Sequence, residues 1–287
     1  MRLTLARGFA RAAVALAAGA LSATAQGPRP ARVSADAEYY GRSDYDGGGR
    51  LALGEAGIGT EAAVVSNAWG QWSLGAGVKV ADFDFSGGAT YPRRETLYRI
   101  QLPVEFRRAL NDRWGYSLRA APGLASDLER VTGADLRWTA LALASYQRDP
   151  AWRWVGGMYY GQAFGESRVY PALGAIWQPA PEWTVGLIMP RPGVTYRPGR
   201  AWSFTALIQP SGGDWNLETP DGERALILET WRGGLEAGCR LGRRWALQLE
   251  GGWAFARRLE LRDTDQERVA ADDLDGAPYV RLGVRFY

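Results

Sequence analysis

The chain has 287 residues, a formal net charge of +3, no histidine and a single cysteine. Without histidine it lacks the usual general base of Ser-His-Asp or Cys-His catalysis and the commonest transition-metal ligand. One cysteine allows no intramolecular disulfide, and no segment after residue 25 approaches the roughly 20 apolar residues of a transmembrane helix.

The N-terminus reads as a secretory signal. Arg2, Arg7 and Arg11 form a basic region, residues 12–21 are apolar, and Ala23-Thr24-Ala25 places small residues where a signal peptidase inspects them. A signal peptide over 1–25 and a mature barrel domain over 26–287 are expected. Residues 1–25 carry three arginines and no acid, so the +3 of the whole chain falls to zero in the mature one. A nucleic-acid partner is therefore not expected.

Past the signal, alternation dominates. Tyr98, Ile100, Leu102, Val104 and Phe106 share one phase, while Arg99, Gln101, Glu105 and Arg107 share the other. Nine such residues are about what a tilted strand needs to cross a bilayer. The same period recurs at 72–80, 114–120, 136–146, 183–189, 202–208, 231–241, 245–255 and 278–286. The fold expected is a transmembrane antiparallel up-and-down β-barrel of fourteen strands, near 31–40, 50–65, 71–84, 95–109, 114–126, 135–148, 152–164, 168–178, 183–189, 192–197, 201–217, 225–241, 245–260 and 277–287. Only 19 residues separate Trp183 from Trp202, around Met189-Pro190-Arg191-Pro192-Gly193. Prolines lack a ladder donor, so that pair either notches the barrel or fails to span, which leaves twelve strands as the alternative.

Connections alternate in length. Tight turns at 66–70, 110–113, 149–151, 179–182, 198–200 and 242–244 separate longer segments at 41–49, 86–94, 127–134, 219–223 and 262–276. This is the pattern of periplasmic turns and extracellular loops. Trp72, Trp114, Trp152, Trp183, Trp202 and Trp245 each begin a strand leaving a tight turn. With Phe286 they are expected to form a periplasmic aromatic girdle. Tyr39, Tyr40, Phe83, Tyr159, Phe164, Tyr170 and Phe255 are expected in the outer one.

The C-terminal run from Tyr279 to Tyr287 resembles the last strand of bacterial outer-membrane proteins, with its apolar phase on Val280, Leu282, Val284 and Phe286. The run Leu187-Ile188-Met189-Pro190-Arg191-Pro192-Gly193-Val194-Thr195-Tyr196-Arg197-Pro198 is similar to a motif of an uncharacterised family of outer-membrane β-barrels known only as a domain of unknown function. The resemblance implies the Gram-negative bacterial outer membrane as location. It also implies the barrel-assembly machinery as a partner in biogenesis and lipid and lipopolysaccharide as surroundings. It implies no activity.

No enzyme, cofactor or resident metal is expected. The acidic group Asp263, Asp265, Glu267, Asp272, Asp273 and Asp275 lacks the EF-hand order of ligands and reads as a solvated loop. Cys239 shares the apolar phase of Leu235, Ala237 and Leu241 and reads as a small lipid-facing residue. Arg99, Gln101, Glu105, Arg107, Arg119, Arg137, Arg153, Arg232, Glu236, Arg281 and Arg285 are expected to line the lumen. If they leave water between them, the barrel is a passive pore for small solutes, with arginine setting its charge preference. If they pair across the lumen, it is a closed barrel acting through its extracellular loops.

Overall fold

A computed structural model describes residues 32–87, 91, 93–220 and 222–287. The expected signal peptide and the mature terminus at Gln26 lie outside the described residues. The strands are β1 (Arg32–Tyr45), β2 (Gly49–Asn67), β3 (Gly70–Ser86), β4 (Arg94–Gln101), β5 (Val104–Ala109), β6 (Trp114–Ser126), β7 (Leu136–Asp149), β8 (Trp152–Gly161) and β9 (Arg168–Ala180). They continue as β10 (Trp183–Gly186), β11 (Gly193–Tyr196), β12 (Trp202–Pro210), β13 (Gly213–Thr219), β14 (Gly222–Leu241), β15 (Trp245–Arg262), β16 (Arg268–Leu274) and β17 (Ala277–Phe286).

Three pairs of segments are single staves interrupted once. β4 and β5 both pair with β3 and β6, on either side of Leu102-Pro103. β12 and β13 both pair with β14, and β16 and β17 both pair with β15. The described residues thus form a closed ring of fourteen staves, with β1 pairing antiparallel to both β2 and β17. Its ends differ. One carries the short turns and both the start of β1 and the end of β17, and is called the turn end here; the other is the loop end.

The loop end departs from expectation because strands continue where loops were expected. β2, β14 and β15 run for 19, 20 and 18 residues, well beyond the roughly 9–11 a bilayer requires. The β1–β2 link closes tightly, the Gly48 N–H donating to the Tyr45 carbonyl at 2.9 Å with Gly48 at φ 79°, a conformation glycine adopts without steric cost. Residues 262–276, expected as an acidic loop, are largely the β15–β16 ladder. There the Asp263 carboxylate caps a turn by accepting from the Asp265 and Glu267 N–H groups, and Asp272 accepts from the Tyr91 hydroxyl at 2.8 Å.

The ring also narrows. β13 leaves the wall and crosses the bore to bridge β6, Asn216 pairing with Ser126. Above that level the wall closes through nine staves only: β1, β2, β3, β4, β6, β13, β14, β15 and β16. About eight strands enclose just enough room for side chains, and this ring is filled: Leu51, Phe83, Leu97, Leu226 and Leu259 are fully buried together with Trp215, Leu217 and Leu228. The expectation of a polar phase throughout the lumen is corrected here. β-Bulges explain the failure, because a one-residue shift moves side chains to the other face. The irregularity between Tyr40 and Ser43 and the positive φ of Ala256 (47°) both redirect the residues that follow.

Candidate functional site: the bore and its gap

The bore is layered. At the turn end lies a cavity of about 910 Å³. Arg107, Arg119 and Arg153 line it from β5, β6 and β8, whereas Leu141, Leu143, Val155, Ile176 and Ile188 line it from β7, β8, β9 and the segment after β10. Arg107 Nε donates to Glu105 at 2.5 Å, and an Arg119 guanidinium nitrogen lies 3.8 Å from the other oxygen of the same carboxylate. Arg153 Nε donates to Gln147 at 2.6 Å.

A belt of alternating charge occupies the middle of the opposite wall. Arg232 on β14 pairs with Glu38 on β1 and lies 3.6 Å from Glu250 on β15. Arg281 on β17 sits 3.6 Å from Glu250 and 3.4 Å from Asp36. The Tyr279 hydroxyl donates to Glu250 at 2.8 Å, and the Arg232 guanidinium lies over the Tyr279 ring. Gln248 donates to Glu236 at 3.0 Å. The belt continues past β1, where Glu55 on β2 stands opposite Glu38 and pairs with Lys79 on β3 at 2.5 Å.

The chord β13 caps these layers. The Arg99 guanidinium packs on the Trp215 indole, 4.7 Å from its centroid, and Trp215 meets Phe83 edge-on at 5.4 Å. Arg137 pairs with Asp214 at 2.7 Å, and Asn216 donates to Asp135 at 2.9 Å. Arg99 and Arg137, expected to line the lumen, are therefore occupied by the chord. Gln101 packs against Gly123, where an added Cβ would press on its side chain. Arg285 lines a smaller cavity of about 360 Å³ at the turn end, with Arg197, Arg200, Arg240 and Tyr287.

Where β13 departs, the wall is incomplete. β10 and β11 pair over four residues, Trp183 to Gly186 against Tyr196 to Gly193, and the tip between them stops short of the loop end. It is seated on β9 because Gly174 has no Cβ to meet the Leu187 carbonyl. Segment 162–167 straps the gap. The Gly212 N–H donates to the Ala163 carbonyl at 3.3 Å, and the Phe164 ring packs between Tyr170 (4.3 Å) and Trp231 (5.3 Å). Glu166 pairs with Arg262 and Arg168.

The outer surface is apolar. Leu118, Leu235, Leu249 and Leu282 are all exposed, Leu235 to 70%. At the turn end, Trp72, Trp114, Trp152, Trp183 and Trp245 pair across neighbouring strands with Phe106, Tyr146, Trp177, Tyr196 and Phe286, at centroid separations of 4.6 to 5.5 Å. Trp202 stacks on Phe204 within its own strand. The expected second girdle is corrected: Tyr40 and Phe83 are buried in the core, and Tyr159, Phe164 and Tyr170 belong to the strap region. Of that group only Tyr39 and Phe255 are exposed, beside Trp138 and Trp253. Cys239 lies opposite Trp202 on the outward phase.

Sequence reasoning missed the apolar wall and the tip residue Arg191, which lies within electrostatic reach of Glu250 and Glu236. Alternation would have found Asp36 and Glu38, which share a phase in β1. Alternation would also have placed Leu141 and Leu143 inward, because they share a phase in β7 with Arg137, Thr139, Ser145 and Gln147; a search for polar lumen residues passes over them.

The family described as Domain of unknown function (DUF6268) matches residues 21–287. No curated protein matches the chain. Among solved structures it is similar to the COG4313 outer membrane channel from Pseudomonas putida F1, at 13% identity over 91% of this chain and 97% of that one, with a TM-score of 0.48. It is also similar to the translocator domain of autotransporter NalP from Neisseria meningitidis, at 14% identity over 100% and 99% of the two chains (TM-score 0.42). A third is the KdgM porin in complex with disordered oligogalacturonate, at 7% identity over 88% and 98% (TM-score 0.41).

Proposed function

Because the chain belongs to the family described as Domain of unknown function (DUF6268), which brings no activity with it, we propose a function from the geometry. The protein is an integral outer-membrane β-barrel whose bore is a vestibule open at the periplasmic turn end and closed at the loop end. The membrane part of this reading is supported by the outward apolar belt and the band of paired aromatics at the turn end. In water the bare leucines would be an aggregation surface, whereas lipid is their natural solvent. Among the described residues no helix is long and apolar enough to cross a membrane, so any crossing is made by strands.

One observation carries the closed reading: the nine-stave ring behind Trp215 is filled with fully buried apolar side chains. The charge belt beneath it is paired rather than free, so the lumen arginines of the middle layer serve to fill and hold the bore. Passive passage is the second reading, favoured by the cavity of about 910 Å³ at the turn end, and it requires the chord to move. The test has two parts. Resistance of the protein to urea extraction from membranes, with a heat-dependent shift in gel mobility, is expected; release by urea sinks the membrane reading. The refolded barrel is expected to be silent in a planar bilayer, and stable stepwise openings would return the chain to the pore class.

A further inference from the structure

The turn-end cavity has two unlike faces. Its lining includes Arg107, Arg108, Arg113, Arg119 and Arg153 against two carboxylates, Glu105 and Asp112. Arg107 and Arg119 share Glu105 between them, and Arg153 has an amide rather than an acid as its partner. Positive charge is therefore in excess, at β5 and β6 and again at the lower end of β8. Five aliphatic side chains run from β7, between β6 and β8, round to Ile188, at the foot of the wall gap. A cavity meant only for water and ions gains nothing from such a wall, since buried apolar surface rewards an apolar occupant.

We propose that this cavity is a binding site for amphipathic organic anions, a carboxylate on an aliphatic or aromatic body. The carboxylate sits at Arg119, which stands beside Leu141 on the next strand and whose planar guanidinium can donate two parallel hydrogen bonds; Arg153, opposite Gln147 nearer the turn end, adds positive charge at the mouth. The body lies along Leu141, Leu143 and Val155 and points toward Ile188. The inference rests on the membrane-barrel reading above, and names what its vestibule takes from the periplasmic side.

The probe is octanoate, titrated calorimetrically into the full chain in lipid nanodiscs, with empty nanodiscs as the blank for partitioning. Acetate keeps the charge and lacks the body; octyltrimethylammonium keeps the body and reverses the charge. Saturable binding of octanoate alone is expected. Arg119→Gln is expected to weaken it roughly tenfold, the weight of one charge-assisted contact, as is Leu143→Asn, and Arg153→Gln by a smaller factor. The exposed loop change Arg130→Gln is expected to leave it unchanged. Equal binding of octanoate and octyltrimethylammonium would overturn the proposal, as would octanoate binding indifferent to all three cavity variants or absent altogether. Heat-dependent gel mobility of every sample separates the outcomes. A folded barrel that does not bind defeats this inference alone, whereas a chain that does not insert defeats the reading beneath it.

Discussion

Arg99 and Trp215 touch across the full width of the barrel. Their staves, β4 and the β12–β13 stave, are seven positions apart in either direction around the ring, yet the guanidinium lies 4.7 Å from the indole centroid. The contact exists only because β13 leaves the wall, and it joins the polar bore to the apolar core above it.

Replacing that indole should loosen the closure. Trp215→Ala removes a fully buried side chain, and such truncations cost about 3–5 kcal/mol. The variant is expected to unfold at lower urea and to show stepwise conductance in a planar bilayer where the parent is silent. A variant that is destabilised and still silent would mean that the remaining leucines seal the ring without the tryptophan.

The charge belt makes a second case. Arg232 and Glu38 are both buried in the bore. Arg232→Met leaves Glu38 and Glu250 without their shared cation, and breaking one side of a buried pair costs about 3–5 kcal/mol. Arg232→Met with Glu38→Met is expected to recover part of that loss. Urea titration of barrels in vesicles, read by gel mobility, measures both; equal loss in the single and double variants would show that the pair is not coupled.

Facing direction can be read by one residue type at two sites. Leu235→Arg places a charge on the apolar belt, at a cost of about 2–4 kcal/mol near a bilayer midplane. Leu143→Arg points into the cavity and is expected to cost much less. The same urea titration in vesicles compares them, and a reversal of the order would mean that the two faces have been assigned the wrong way round.

The strap carries a pH dependence. Burial raises the Glu166 carboxyl pKa, but its bonds and attraction to Arg262 and Arg168 outweigh that and hold it below the usual carboxylate range. A lowered folded-state pKa contributes stability that is present above the unfolded value, about 4.3. That contribution is lost as pH falls through the folded value. Amide protection over 161–167, taken relative to the intrinsic exchange rate at each pH, is expected to fall on acidification in that range. Glu166→Gln should exchange faster at neutral pH and lose the acid-side step, whereas an unchanged profile would remove the ion pair from the account of how the gap is held.

Much of the barrel was legible in the chain. A strand's side chains alternate with period two, so a segment such as Tyr98 to Phe106 declares its faces without its neighbours. Turn residues and the tryptophans beside them mark one end in the same local way. The fourteen-stave ring and the short pair at Trp183 and Tyr196 agree with that reading.

What local pattern cannot carry is where a strand stops following the wall. Gly213 to Thr219 reads as the continuation of β12, and only packing against Ser126, Phe83 and Arg99 turns it into a chord. The same holds for the bulges that swing Ser43 and Arg257 inward. Alternation therefore determined the class of fold, because period two separates the two faces of a strand without reference to its neighbours. Closure of the bore was decided in three dimensions, because it depends on contacts between residues that lie half a barrel apart.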